Sequence, residues 1–164
     1  MTSHPPVLHL LCGKIGAGKS TLAHTLADAP GSLLVSEDHW LARLYPGEQN
    51  SLEDYVRNAG RLRAAMEAHL VALLRAGMSL VLDFPANTPA SRAWMRGLAE
   101  AAGCAHRLHW LDVPDAICLA RLRQRNAEGR HEFTVSDEEF AHFTRRFVPP
   151  GADEGLTVVR HVPG

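Results

Sequence analysis

Between Gly13 and Thr21 the chain reads GKIGAGKST, a spacing of glycines around a lysine and two hydroxyls that suits the holding of a phosphate chain. Glycines let a backbone curl until consecutive N–H groups point inward at phosphate oxygens, where a Cβ would block the curl or the approach. Gly13 to Ser20 fit the pattern G-x-x-x-x-G-K-S without a gap. Lys14, Ile15, Gly16, Ala17 and Gly18 would supply main-chain amides to the cradle. Lys19 would bridge the β- and γ-phosphates, Ser20 would hold Mg2+ through its hydroxyl, and Thr21 continues into a helix whose positive end faces the anion.

A magnesium ion beside Ser20 calls for a carboxylate at a strand end. SLVLDF supplies Asp83, which also reads as an ordinary turn aspartate. Asp112 in HWLDVP ranks second, because Val113-Pro114 starts a helix at once and a capping role is natural there. SEDHW offers two further acids, Glu37 and Asp38. A carboxylate at this strand end would face the terminal phosphate from the acceptor side and could take the proton of an attacking hydroxyl. Asp38 is the expected base, Glu37 the alternative, and a helix-capping role for Asp38 the non-catalytic reading.

Arginines cluster at 121, 123, 125 and 130. On a helix Arg121 and Arg125 share a face while Arg123 points elsewhere. A charged pair beside the apolar strip of Cys118, Leu119 and Leu122, just before a polar glycine loop, suits a lid that neutralises charge on a transferring phosphoryl group. The competing reading is a solvated helix face, and Arg130 is the weaker lid candidate. Asn87, Ser91 and Arg92 could line an acceptor pocket, with Trp40 and Tyr45 as an aromatic wall; for each, a core or capping role is the other reading.

The elements that must position these groups follow from periodicity. Apolar runs at Val7–Cys12, Leu33–Ser36, Ser79–Asp83, His106–Asp112 and Leu156–Val162 read as strands. Helical patterns cover Lys19–Asp28, Ser51–Ala76, Thr88 to about Ala102, Pro114–Asn126 and Ser136–Phe147. Thr88 with Pro89, and Ser136 with Glu139, are helix-start signals. Glu37–Tyr45 reads as a short polar and aromatic segment, and Ala127–Val135 as a polar loop. Strands alternating with helices predict an α/β architecture, a parallel sheet covered on both faces, with ligands at the carboxyl ends of the strands.

The 164 residues suit one domain, 1–164, and the formal charge of −1 gives no general nucleic-acid or membrane surface. The 3 cysteines form no CxxC pair, which fits a reducing cytoplasm. No signal segment is expected, and no stretch reaches the roughly 18–20 apolar residues of a membrane span. The 10 histidines are dispersed, and His106 and His109 fall on opposite faces of a strand, so no histidine metal site is expected.

With GKIGAGKST, SEDHW, LVLDF and RLRQRN in this order, the chain resembles the small P-loop kinases related to zeta toxins, a group that includes chloramphenicol phosphotransferase, gluconate kinase and the kinase domain of polynucleotide kinase. The likeness runs from about Val7 to His161. DFPANT, HRLHWLDVP, RNAEGRHEF and FVPPGADEG look like a subgroup described as predicted ATP-binding kinases. The resemblance implies a three-layer P-loop fold with an adenylate-kinase-like sheet of five parallel strands, order 2-3-1-4-5, and a short lid at about 126–136. It implies ATP with Mg2+, Asp38 as base, Arg121 and Arg125 as lid arginines, and adenine between the Arg121 region and the loop near Pro150 to Glu154.

The expected activity is an ATP-dependent phosphotransferase acting on a hydroxyl of a small molecule. The alternatives are a kinase of a nucleic-acid 5′-hydroxyl or a nucleotide-sugar, and a nucleotide-binding switch or adaptor without an acceptor. The absence of a basic stripe weighs against nucleic acid, and the absence of an NKxD segment weighs against a guanine-reading switch.

Overall fold

The computed structural model describes residues 4–129 and 134–163. Eleven elements run β1 Val7–Cys12, α1 Lys19–Ala27, β2 Ser32–Ser36, α2 Glu37–Leu44, α3 Leu52–Arg75, β3 Ser79–Pro85, α4 Pro89–Ala102, β4 Ala105–Leu111, α5 Asp115–Glu128, α6 Asp137–Arg146 and β5 Val158–His161. The strands form one sheet in the order β2-β3-β1-β4-β5, and every described pairing is parallel. This is the expected P-loop order, with all carboxyl strand ends on one edge.

Burial explains why the central strands carry continuous apolar runs. On one face Leu8, Leu10, Leu82, Phe84 and Leu108 meet Leu70 and Leu74 of α3 and Met95 and Leu98 of α4. On the other, Leu11 and Val81 meet Ala23 of α1, and Leu111 meets Cys118 and Leu122 of α5. Both Leu10 and Leu11 are fully buried, since a sheet covered on both sides leaves no polar face. Each such leucine contributes about 1.5–3 kcal/mol by leaving water, and truncation to alanine would cost about 2–5 kcal/mol.

The helix starts follow the caps. Ser51, Thr88 and Ser136 each accept a hydrogen bond from a backbone N–H in the first turn, and Ser136 with Glu139 forms the full reciprocal box. Gly103, at φ +69, closes α4 in the left-handed region that a side chain resists.

Three expectations change. The segment expected at Glu37–Tyr45 forms a regular helix, α2, over Glu37–Leu44, which starts at the residue after β2 ends. Ser36 caps it by accepting from the His39 N–H at 3.3 Å, and Leu41 fastens it to Ala59 and Leu62 of α3. Helix α5 runs on through the start of the expected lid to Glu128. The last strand is shorter than its apolar pattern, at Val158–His161. Arg130 lies outside the described residues, as does the middle of the lid segment. The segment's two ends are drawn together by Asn126, whose amide donates to the Val135 carbonyl at 2.6 Å and accepts from the Val135 N–H at 3.3 Å.

Candidate functional site

The loop between β1 and α1 curls as its glycines allow. Gly16 and Gly18 hold φ of +84 and +102, a region costly for any residue with a Cβ. Space is also short: a Cβ on Gly16 would lie 2.5 Å from the Cys118 carbonyl oxygen of α5. Asn87, just beyond β3, accepts the Gly13 N–H at 2.9 Å, so the first amide of the loop is fixed from the neighbouring strand.

Lys19 folds back into the curl, its Nζ donating to the carbonyls of Gly13 at 2.5 Å and Lys14 at 3.1 Å. Burial pushes its ammonium below the ordinary value, opposed by the charges of Asp83 first and, more weakly, Asp38. The side chains of Lys14, Ile15 and Ala17 hold the loop in place. Lys14 pairs with Asp115 at the start of α5 and lies over the Phe147 ring at 5.9 Å, while Ile15 and Ala17 join the apolar cluster around Cys118. What these residues have left to offer a ligand is main chain. Thr21 is exposed on the first turn of α1, and its carbonyl accepts from Thr25.

Ser20 Oγ donates to Asp83 Oδ2 at 2.9 Å. A hydroxyl and a carboxylate at the mouth of a glycine loop are hard oxygen donors of the sort Mg2+ takes while keeping waters, so these residues fit the ion. Asp112 has another partner: Arg160 of β5 donates to its Oδ2 from Nε at 3.0 Å and from a terminal nitrogen at 2.5 Å. Nor does Asp112 cap α5, whose first residue follows Pro114 without a side-chain cap.

The two lid arginines have different surroundings. Arg121 lies across the loop, donating to the carbonyls of Ala17 at 3.2 Å and Gly16 at 3.4 Å. Arg125, one turn on, is half-buried, and its Nε is buried without a hydrogen-bond partner among the described residues. Burial pushes this guanidinium down, and the charge of Asp38 opposes that. Arg123 faces away and pairs with Asp137 of α6 at 2.7 Å.

Asp38 is exposed on the first turn of α2, near enough for its charge to act on Lys19, Arg125 and Tyr55. Glu37 beside it is fully buried. Tyr55 donates to Glu37 Oε1, and Arg63 Nε donates to Oε2 at 3.0 Å.

Of the expected acceptor-pocket residues, Asn87 instead holds the phosphate loop, and Arg92 is fully buried. Arg92 makes a two-point pair with Glu154 at 2.9 and 3.0 Å and donates to the Val148 carbonyl at 2.8 Å. That pair, together with the N–H of Gly151, holds the Glu154 carboxyl below the usual carboxylate range. The loop expected near adenine is therefore fastened to α4. Ser91 bonds Arg63 and Thr88. Trp40 is exposed, while Tyr45 packs against Leu41, Ala59 and Leu62.

Sequence reasoning passed over Arg63 and Tyr55. The available signal was a charge on the apolar stripe of α3, since Arg63 follows Ala59 by four positions and precedes Met66 by three. A second polar group also went unforeseen. His9, His109 and His161, on three adjacent strands, are joined ring to ring at 2.9 and 3.0 Å. His106 turns the other way and accepts from the Thr157 N–H.

Residues 8–150 match the family described as AAA domain. No curated protein shows a significant match to the chain. Among solved structures, an inferred kinase from Chloroflexus aurantiacus J-10-fl is similar with a TM-score of 0.74 and 20% identity, over 98% of this chain and 87% of that one. Kti12 from Chaetomium thermophilum, in complex with ADP-AlF3, is similar with a TM-score of 0.69 and 16% identity, over 94% and 89%. APS kinase CysC from Mycobacterium tuberculosis, in complex with AMPPNP and APS, is similar with a TM-score of 0.62 and 20% identity, over 97% and 89%.

Proposed function

This chain belongs to the AAA domain family, and from that premise we propose that it is an ATP-dependent phosphotransferase that moves the terminal phosphoryl group of MgATP to a hydroxyl of a small molecule. The observation that carries the reading is the meeting, at one sheet edge, of a lysine-bearing glycine loop, the Ser20–Asp83 pair and a carboxylate whose charge reaches both Lys19 and Arg125. A nucleotide-binding switch would need the first two features, but not an exposed acid whose charge reaches Lys19 and Arg125.

In this reading the amides of Gly13 to Ser20 hold the phosphates, and Lys19 exchanges the Gly13 and Lys14 carbonyls for phosphate oxygens. Ser20 and Asp83 would hold Mg2+, which would supply charge neutralisation at the phosphates when bound. Asp38 accepts the hydroxyl proton as the acceptor oxygen bonds to phosphorus, and the bridging oxygen leaves with ADP. Arg121, on the loop, favours the nucleotide. The Nε of Arg125, buried without a hydrogen-bond partner among the described residues, favours charge on the transferring group, where a donor fixed in advance is most effective. Most of the rate comes from positioning and electrostatics, because the transition state is loose. The two cysteines nearest the site take no part: burial pushes the Cys12 thiol up to about 11 and raises Cys118.

The acceptor class rests on the small lid and the lack of a basic stripe. Among the described residues no helix is long and apolar enough to cross a membrane. The test is a library of hydroxylated metabolites and antibiotics, with 5′-hydroxyl oligonucleotides and nucleotide-sugars as separate arms, incubated with ATP and Mg2+. A library member should gain one phosphoryl group by mass spectrometry. Transfer confined to the oligonucleotide arm would overturn the small-molecule assignment, and a partner protein that binds only one nucleotide state, with no transfer in any arm, would overturn the enzyme.

A further inference from the structure

We propose that Glu37 is a positioning residue that aims Asp38 at the acceptor hydroxyl, held for that purpose by Tyr55 and Arg63; the proposal rests on the kinase reading above for the role of Asp38. Glu37 opens α2 directly from β2, whose last residue Ser36 lies in register with Asp83. It is fully buried, and both carboxylate oxygens are taken, one by the Tyr55 hydroxyl and one by Arg63 Nε. A fully buried carboxylate with a donor on each oxygen is poorly placed to receive a substrate proton, which favours the exposed Asp38 as the base.

The same contacts give it another use. Successive helical residues project about 100° apart, so with Glu37 turned into the core the direction of Asp38 is set. Turning α2 would unpair a buried carboxylate from a half-buried arginine, and breaking such a pair from one side is expensive. The arrangement is fixed on the far side too. Arg63 also donates to Ser91 Oγ at 3.1 Å, Ser91 meets the α4 cap Thr88 at 3.1 Å, and the guanidinium lies over the Phe84 and Trp94 rings at 5.6 and 5.5 Å. Burial first, then the charge of Glu37, raises the Tyr55 phenol well above its ordinary value, so it stays a donor. Two residues of α3, one of them tied to α4 through Ser91, thus hold the carboxylate that opens α2, next in sequence to Asp38.

The test uses the full chain, MgADP affinity by calorimetry, and turnover of MgATP with water standing in for the alcohol. Glu37→Gln can accept from only one of its two donors. It should lower turnover about tenfold to hundredfold and leave MgADP affinity within about twofold. Combined with Asp38→Asn it should add less than about twofold to the loss from Asp38→Asn alone, because a residue acting through another has nothing left to aim. A further tenfold loss in the double variant would overturn the proposal, as would an equal loss of MgADP affinity or unchanged turnover in Glu37→Gln. Should Glu37→Gln fail to fold, Tyr55→Phe keeps the ion pair and carries the same cycle, with an expected threefold to tenfold loss. Wild-type protein that bound no MgADP would instead bring down the nucleotide site itself, a failure separate from that of the relay.

Discussion

The two sides of the candidate site are built differently. The nucleotide side is main chain: a curled loop between β1 and α1, set by left-handed glycines and closed by contacts from Asn87, Lys14 and Arg121. The proposed acceptor side is side chain: Asp38 stands on a helix whose Glu37 is hydrogen-bonded by Tyr55 and Arg63 of α3, with Arg63 bonded in turn to Ser91 of α4. A backbone cradle serves any polyphosphate, whereas a side-chain wall can be remade one residue at a time. In the kinase reading, substrate choice would lie with the side-chain wall rather than with the phosphate loop.

That division is sharpest for two substitutions. Asp38→Asn should lower phosphoryl transfer by about a hundredfold or more while MgATP affinity stays within about twofold, since a positioned base contributes about 10²–10⁴. Lys19→Ala should damage both affinity and rate. Steady-state kinetics with calorimetry would break the comparison if the two variants behaved alike. Next in size, Arg125→Met should lower turnover about tenfold to hundredfold with little change in KM for ATP, and Arg121→Met should mainly raise that KM. Interchanged effects would reverse the roles assigned to the two arginines.

A smaller effect is expected at Asn87. Truncation to alanine removes the acceptor of the Gly13 N–H, which should cost about 1–2 kcal/mol in chemical denaturation and weaken MgATP binding. Asn87→Asp keeps the acceptor and should retain most stability. An alanine variant with wild-type stability and affinity would show that the loop needs no support from β3.

The smallest effect lies away from both sides, in the histidine row. Burial, then the neighbouring His9 and His161 and Arg107, lowers His109 to about 4 from an ordinary 6.5. With the folded value below the unfolded one, the unfolded chain binds more protons between those values. The stability is present above pH 6.5 and is lost as pH falls toward 4, with about 1 kcal/mol going between pH 7 and pH 5.5. His109→Leu should flatten that slope in a denaturation series, and an unchanged slope would assign it to other groups.

What was legible in the sequence follows the same division. The strands and the phosphate loop could be read because each depends on neighbours in sequence: apolar runs, glycine spacing, and caps such as Thr88 and Ser136. Ser20 and Asp83 could be read as partners because the strand order brings their elements side by side. Helix α2 was obscured because its eight residues carry Asp38, His39 and Trp40 on exposed positions, and its one strong apolar anchor, Leu41, makes no pattern alone. Arg92 looked like a pocket residue because an arginine is seldom fully buried. Its partner Glu154 stands 62 positions away, and no local pattern announces such a pair. The histidine row escaped because the expected order sets β1, β4 and β5 side by side but does not fix the register that brings His9, His109 and His161 within reach of one another.

The direct passage from Ser36 into Glu37, strand to helix without an intervening loop, has a mechanical consequence. Asp38 is carried by a helix with no loop between it and the sheet. In the kinase reading, closure around substrates would fall to the side of the site opposite α2. On that side α5 already packs against the phosphate loop, where a Cβ on Gly16 would meet the Cys118 carbonyl oxygen, so any shift of α5 would be felt at the loop.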